Sequence, residues 1–334
     1  MSTETKATSI PNKMEMMEDL PFSQGQGGIS AKVLAHSKSE WNKEIITFEL
    51  EYPRFIHAEF MTHRLFSRNC ASSRAIPHKK MTELIRSRPA MPVFWGKNQT
   101  GMQAYEELDP SKSCVEIGGM RMTPAVAWVT GMDHALEVSE ALAEAGFHKQ
   151  IVNRITEPYQ MIKTVVTATE YANFFHLRNH HMAQPEIREL AKCMLEALEK
   201  SIPVKRGWGG YTKDAYHLPY VSDDERRQYP IEDLIKMSVA RCAAVSYRNE
   251  DYTLDKSKEV YARLIDGDRK HSSALEHVAS VMKSEKASAI SANVEIVIDI
   301  EEGVSHIDME GRQWSGNFKG WVQHRKMLKD ECVW

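Results

Sequence analysis

The chain has 334 residues, of which 42% are hydrophobic and 27% charged, a composition typical of globular proteins. Its net charge of −3 gives no general attraction for nucleic acid or an anionic membrane, so neither partner is expected and an anion site requires a local basic cluster. Five cysteines without a CxxC pair exclude a zinc ribbon or a thioredoxin motif. The sequence shows no secretion signal and no long apolar segment, which makes a reducing, cytoplasmic location the expectation.

Local patterns in the first 133 residues predict a lead-in, one strand and an insertion. Residues 1–28 are polar, end in QGQGG and predict a flexible lead-in. From Glu44 to Tyr52 apolar and polar side chains alternate, which is typical of a half-buried strand. Residues 86–133 are rich in Gly, Pro, Met and Trp without a clear period, and predict an irregular insertion with short helices.

The later patterns complete a single domain over residues 29–334. TVVTAT at 164–169 predicts a β-branched strand, and an apolar stripe from Ile187 to Leu198 predicts a helix over 186–201. Further patterns predict helices at 135–155, interrupted near Gly146, at 231–245 and at 254–265, and a strand around 294–300. Helices and short strands mix without a βαβ order, which favours an α+β fold.

The segment FMTHRLFSRNCASSRAIPH, residues 60–78, concentrates arginine, histidine and serine. We predict a helix followed by a loop, in which Ser72, Ser73 and Arg74 converge on one phosphate. His63 and Arg64 lie upstream and would contact a second anionic group. A solvated basic surface helix explains the same composition, and the residues leave the two interpretations open.

Two later segments are also rich in polar side chains. NFFHLRNHHMAQPEIREL, residues 173–190, lies between a predicted strand and helix, where functional loops are common. Its His176 and His180 have the spacing of metal ligands on a helix, but only Glu186 offers a carboxylate nearby, so no metal is expected. HSSALEH at 271–277 has the pattern of a capping box and predicts an N-capped helix. With no GxSxG, Walker or GxGxxG motif, these residues alone name no reaction.

Taken together, the segments resemble the flavin-dependent thymidylate synthase family. THRLFSRNCAS, residues 62–72, is similar to the family's RHR block, and Arg74 falls at that block's second arginine. NFFHLRNHHMAQPEIREL resembles the later FLxLR and AQxEI block. The other similar segments are VNRITEP (152–158, the ARIVLP block), ARCAAVSY (240–247, the RAARVSF block) and HSSALEH (the HxTPFEH block).

The order of these blocks differs from the usual one. In the family the last two blocks come first, whereas here residues 231–334 carry them at the end. The resemblance therefore implies a circularly permuted order, which termini that lie close together would permit. GWVQHRKML at 320–328 also resembles the RHR block, which implies that some roles are shared with it.

The resemblance implies a fold, a reaction and a site. The fold is a curved antiparallel sheet flanked by long helices, in a homotetramer with active sites between subunits. The reaction converts dUMP to dTMP, with methylenetetrahydrofolate as one-carbon donor, NADPH as reductant and bound FAD as the hydride source, and uses no enzyme nucleophile. The implied dUMP contacts are Glu59, Ser72, Arg74, Arg154 and Arg178, with Arg178 catalytic at the uracil carbonyl, and the implied FAD contacts are His63, Arg64, Asn173, His271, Ser273 and Glu276.

Four positions depart from the family pattern: Thr62 replaces an arginine, Cys70 a glutamate, Ala75 a tyrosine and Met182 a histidine. They leave the exact product open. A thymidylate synthase, a related enzyme that modifies carbon 5 differently, for example by hydroxymethylation, and a non-catalytic flavin- or nucleotide-binding relative all remain compatible with the sequence.

Cys70 has two interpretations of its own. It is a small apolar filler, or it is a nucleophile that adds to carbon 6 of the pyrimidine. The second interpretation expects Arg64, Arg68 and Arg74 to lower the pKa of the thiol.

Overall fold

The computed structural model describes residues 20–246, 252–267, 269–292 and 295–331. Helices mix with mostly antiparallel strands, so the α+β class is confirmed. The strands are β1 (Phe22–Gln24), β2 (Ser30–Ser39), β3 (Glu44–Pro53), β4 (Ser67–Cys70), β5 (Val115–Ile117), β6 (Met120–Met122), β7 (Met161–Ala168), β8 (Val204–Arg206), β9 (Tyr216–His217), β10 (Ala279–Val281), β11 (Ser288–Ala292), β12 (Glu295–Asp299), β13 (His306–Ile307), β14 (Gln313–Ser315), β15 (Phe318–Lys319) and β16 (Trp321–Gln323). The α-helices are α1 (His57–Phe60), α2 (His78–Ser87), α3 (Pro124–Glu144), α4 (Lys149–Val152), α5 (Ala172–Arg178), α6 (Pro185–Glu199), α7 (Asp223–Gln228), α8 (Ile231–Ala243) and α9 (Leu254–Ile265).

The main sheet has the strand order β1-β2-β3-β7-β4, with β8 parallel to β2 and all other pairs antiparallel. Strand β4 runs antiparallel to β7, with Ser67 opposite Thr167 and Cys70 opposite Thr164. The segment before β4 and the segment after β7 therefore meet at one end of the sheet. The segments after β4 and before β7 meet at the other end.

One face of this sheet packs against α6. The predicted helical stripe is confirmed: Ile187, Leu190 and Met194 are buried against the apolar side of β3. Gln184 caps the helix, because its side-chain oxygen accepts a hydrogen bond from the Ile187 amide. The strand prediction for residues 44–52 is also confirmed.

The opposite face is covered by the C-terminal part of the chain, chiefly α8 and the 3₁₀ helix Ser272–His277. As a result β3 is not half-buried at its start, since Ile45 and Thr47 are also buried, on the face opposite Phe48. Thr47 bonds His217 at 2.8 Å and Thr167 at 2.6 Å, and Thr167 bonds His277 at 2.8 Å. A buried series of hydrogen bonds between these side chains thus joins the sheet to the C-terminal part.

Several local expectations are corrected. Residues 22–24, assigned to the lead-in, form the edge strand β1, and residues 1–19 lie outside the described part. The segment after α1 is not a helix and loop alone, because Ser67–Cys70 pairs with β7 as a strand. The predicted insertion contains the hairpin β5–β6 and ends in α3, which begins at Pro124 rather than near residue 135.

Two other helix expectations have different outcomes. The interruption near Gly146 is confirmed: α3 ends at Glu144 and Gly146 adopts φ +87°, which favours glycine after a helix. HSSALEH was expected to be an N-capped helix, but it forms a 3₁₀ helix in which His271 provides no side-chain cap. The prediction for 254–265 is confirmed as α9, and Val294 of the predicted last strand lies outside the described residues.

The buried histidines predict acid sensitivity. Burial lowers the pKa of His277 to about 3 and that of His324 to about 4, both from 6.5. Because the unfolded chain binds these protons first, stability falls as pH drops from 6.5 toward 4, by up to about 1.4 kcal/mol per pH unit for each histidine. Urea denaturation at pH 7.5, 6.5, 5.5 and 4.5 measures this loss of stability. In His324→Gln the free energy of unfolding should depend less steeply on pH, because about one proton fewer is taken up on unfolding. An unchanged midpoint across this window would contradict the prediction.

Candidate active site

Arg178 lies at the end of α5, beside the turn that precedes β4. Its Nε donates to His63 Nε2 at 2.9 Å, and one terminal nitrogen forms an ion pair with Glu59. The other terminal nitrogen lies 3.5 Å from Thr62 Oγ1. We call Glu59, His63 and Arg178 the arginine clamp, because two side chains fix the plane of the guanidinium group.

The clamp requires a neutral histidine. His63 Nε2 accepts the Arg178 hydrogen bond, so the ring proton lies on Nδ1. Burial, and then the positive charges of Arg178 and Arg68, lower the pKa of His63 to about 4. The ring also packs edge-on against Phe174, with centroids 4.8 Å apart. His63 therefore positions Arg178, and its ring is neutral rather than an imidazolium acid at neutral pH.

A cleft of about 200 Å³ opens beside the clamp. Arg68 holds the backbone beside the cleft, since one of its terminal nitrogens donates to the carbonyl oxygens of Met61 and His63, each at 3.0 Å. Arg64 and Asn173 are exposed at the opening. The lining residues are Thr62, His63, Arg64, Leu65, Phe66, Glu170, Asn173, Phe174, Leu177 and Arg178.

The predicted phosphate loop, Ser72–Arg74, lies at the other end of β4. Four strand residues separate it from the cleft, roughly 13 Å along the strand. Asn153 holds the loop by donating to the Ser73 carbonyl at 2.8 Å and the Ile76 carbonyl at 3.1 Å. Arg74 is exposed.

Glu157 was missed by the sequence reasoning. Its carboxylate accepts from Ser73 at 3.1 Å and pairs with Arg54 and Arg154, each at 3.0 Å. Arg154 therefore lies near this loop, where it pairs with a carboxylate; its contact with a dUMP phosphate stays a prediction. The only local signal was the position of Glu157 three residues after Arg154, which is ordinary spacing for a surface ion pair.

The three remaining predicted flavin contacts lie apart from the cleft wall. His271 and Ser273 are exposed, and Glu276 pairs with Arg325. Arg68 lies near both groups: it donates to the His63 carbonyl, and burial lowers its pKa while the charge of Glu276 is among those that oppose this shift. The structure thus brings His63, Arg64, Asn173 and Arg178 together and leaves His271, Ser273 and Glu276 outside that cleft.

The tail 320–328 contacts this second group through Arg325, which pairs with Glu276, while its Gln323 lies 3.3 Å from Ser67 at the start of β4. Arg325 also pairs with Glu331, and the half-buried His324 has its Nε2 3.4 Å from the Tyr261 hydroxyl. The resemblance of this tail to the RHR block therefore corresponds, in the described residues, to packing and ion pairs.

The expectation of a lowered thiol pKa at Cys70 was wrong. Burial raises the pKa of this thiol, and a hydrogen bond with Thr164 and the charges of Arg68 and Arg54 oppose the rise only in part. Of the three arginines expected to lower this pKa, only Arg68 is among the charges that act on the thiol. The thiol is therefore protonated at neutral pH, which favours the filler interpretation.

We predict that Cys70→Ser changes turnover by no more than a few-fold, because a protonated thiol is a poor nucleophile and serine is nearly isosteric. Steady-state kinetics of both proteins measure the change. Intact-protein mass spectrometry of the parent with dUMP tests for a covalent adduct. Loss of turnover in the variant, together with an adduct in the parent, would restore the nucleophile interpretation.

Two classes of site are not found in the described residues. There, no three His, Cys, Asp or Glu side chains come together as ligands for a metal ion. Within the same ranges, the helices are all too short or too polar to cross a membrane.

A comparison with protein-family models gives the family of this chain. The model of the thymidylate synthase complementing protein family matches residues 7–204, more than half of the chain. The chain therefore belongs to this family, which is that of the flavin-dependent thymidylate synthases, and membership implies thymidylate synthase type activity on small molecules. A search of curated proteins finds no significant match. The matched range includes the clamp and the loop at Ser72–Arg74, whereas residues 231–334 lie beyond it, so the permuted order stays a prediction.

Proposed function

We propose that this protein is a flavin-dependent thymidylate synthase that converts dUMP to dTMP, with methylenetetrahydrofolate as one-carbon donor and NADPH as reductant. The observation that carries the proposal is the arginine clamp at the edge of the cleft. An arginine fixed by a carboxylate and a neutral histidine is suited to bind a carbonyl oxygen in one orientation. The substrates of this reaction also favour a cytoplasmic location.

Arg178 is the proposed catalytic residue. Its N–H groups, oriented by Glu59 and His63, would donate to a carbonyl oxygen of the uracil ring. Negative charge develops on that oxygen as the ring accepts a hydride, and a donor that is already in position stabilises it at little reorganisation cost. Glu59 would also keep the guanidinium plane fixed when the substrate leaves.

The cleft residues fit a phosphate-bearing aromatic cofactor. Arg64 and Asn173 offer exposed donors, and Phe66 and Phe174 form an apolar floor. Bound FAD would supply the hydride for the pyrimidine ring. Thr62 leaves one positive charge fewer here than the family's arginine would provide.

A second subunit is part of the proposal. The cleft of about 200 Å³ is smaller than the ~300–1,000 Å³ of sites that enclose drug-sized ligands, and FAD is larger still. We propose a homotetramer in which a neighbouring copy completes the site. His271, Ser273 and Glu276 would then contact FAD, and Ser72, Arg74 and Arg154 the dUMP phosphate, across such an interface. A phosphate there would compete with Glu157 for Arg154.

The test is the flavin content and the product. We expect the purified protein to be yellow and to release FAD on denaturation. After anaerobic reduction by NADPH, addition of dUMP and methylenetetrahydrofolate should give a nucleotide with the mass of dTMP. A hydroxymethyl product would favour the second enzyme, FAD binding without any product would favour the non-catalytic relative, and protein with no saturable FAD binding would contradict the flavin proposal.

A further inference from the structure

The C-terminal segment from β14 to β16 forms part of the rim of the cleft. Asn317 Nδ2 donates to the Leu65 carbonyl at 2.9 Å, and Gln323 Nε2 lies 2.9 Å from Asn317 Oδ1 and 3.3 Å from Ser67 Oγ. These contacts hold residues 65–67, which lead from the cleft into β4. This segment lies more than a hundred residues beyond the end of the family match at residue 204.

Lys319, in the same C-terminal segment, contacts a residue that lines the cleft. Its ammonium group pairs with Glu170, a carboxylate in the cleft wall. Its backbone amide donates to Thr169 Oγ1 at 3.1 Å, and its ammonium lies 5.3 Å from the centre of the Trp314 ring. The Lys319 side chain is only 13% exposed, so its ammonium group has a fixed position beside Glu170 and is not a mobile, solvated group.

The charges of the cleft show what this pair does. Arg178 is balanced by Glu59, and Glu170 is balanced by Lys319, which leaves Arg64 as the cation that determines the sign of the described wall. Arg312 also influences Glu170, but it is paired with Asp308 and Glu310. Without Lys319, the carboxylate of Glu170 would offset Arg64 and repel an anionic ligand.

We propose that Lys319 is a specificity-determining residue of the cleft, which neutralises Glu170 so that the cleft accepts a phosphate-bearing cofactor. The proposal rests on the proposed function for the identity of that cofactor, FAD. It adds a residue from outside the matched family region to the site, and gives the C-terminal segment a functional role besides packing.

Variants that remove one or both charges of the Lys319–Glu170 pair test the proposal. Lys319→Met should weaken FAD binding about tenfold, the effect of one uncompensated charge a few ångströms away in a partly solvated cleft. Glu170→Gln combined with Lys319→Met should restore the affinity to within about threefold of the parent. Lys319→Arg should bind like the parent. Quenching of FAD fluorescence measures all four proteins.

Lys43→Met is the matched control. Lys43 pairs with Glu285 at 2.9 Å and also joins β3 to the C-terminal part, but neither residue lines the cleft. It should leave FAD affinity unchanged, and thermal unfolding of each variant reports any loss of structure. A Lys319→Met variant with parental affinity, or a double variant as weak as Lys319→Met, would overturn the proposal.

Inorganic pyrophosphate separates this proposal from the flavin assignment. Its binding is measured by calorimetry on the same proteins and should follow the same order. If the parent binds pyrophosphate but not FAD, the flavin assignment fails, and the order of the variants still decides the role of Lys319. If the parent binds neither, or if the variants bind pyrophosphate equally, the role of Lys319 fails.

Discussion

Replacement of Arg178 by lysine should lower turnover by about a hundredfold or more while FAD affinity stays within a few-fold of the parent. A loss of this size is usual when a donor to a developing negative charge is removed. Lysine keeps the charge but not the planar set of donors. Binding of FAD depends on other residues of the cleft wall, so the two measurements should separate.

The structure gives the reason why lysine cannot substitute. The guanidinium group uses Nε for His63 and one terminal nitrogen for Glu59, and the third nitrogen lies beside Thr62 at the cleft. An ammonium group on a flexible stem can keep the contact with Glu59, but it cannot hold His63 and a substrate carbonyl in one plane at the same time.

Single-turnover kinetics in the reduced enzyme measure the chemical step, and FAD titration measures binding. Arg188→Lys is the matched control, because Arg188 is exposed on α6 and does not line the cleft. Turnover near the parental rate in Arg178→Lys would show that Arg178 does not contact the reacting ring. A parallel loss of FAD affinity would instead assign Arg178 to cofactor binding.

Replacement of Trp321 by alanine should lower the free energy of unfolding by about 3–5 kcal/mol, the usual cost of removing a large buried aromatic side chain. Trp321 is fully buried among Ile45, Val281 and Phe318. Its indole nitrogen donates to the Lys43 carbonyl at 3.2 Å. The side chain thus connects β16 to the start of β3. Its loss leaves a cavity and removes one of the two hydrogen bonds that the Lys43 carbonyl accepts, the other coming from the Ser39 amide at 2.8 Å.

Urea denaturation followed by circular dichroism measures this change. Trp321→Phe should cost less than the alanine variant, because it keeps most of the apolar volume and loses the hydrogen bond. Trp208→Ala is the control, since Trp208 is 48% exposed and should change stability by no more than ~0.5 kcal/mol. A Trp321→Ala protein as stable as the parent would show that residues 313–323 do not form part of the cooperative core.

The local sequence was sufficient for elements whose pattern is set by their own residues. The apolar stripe that ends at Leu198 specified α6, and the alternation from Ile46 to Tyr52 specified β3, because a helix or strand must direct its apolar side chains to one face. The family blocks also predicted Arg178 and His63 as site residues. These signals depend only on neighbours in the chain, so they are readable without a fold.

Only the tertiary structure decided what these residues contact. Arg178 meets His63 across 115 positions because β4 and β7 are antiparallel partners, and no local pattern encodes that pairing. The same holds for Lys319 and Glu170. Burial, which no spacing of arginines reveals, reversed the expected shift of the Cys70 pKa. The sequence by itself therefore determined the class and those elements whose pattern is local, such as α6 and β3, while long-range packing determined the pairing of β4 and which charges are paired, buried or left for a ligand.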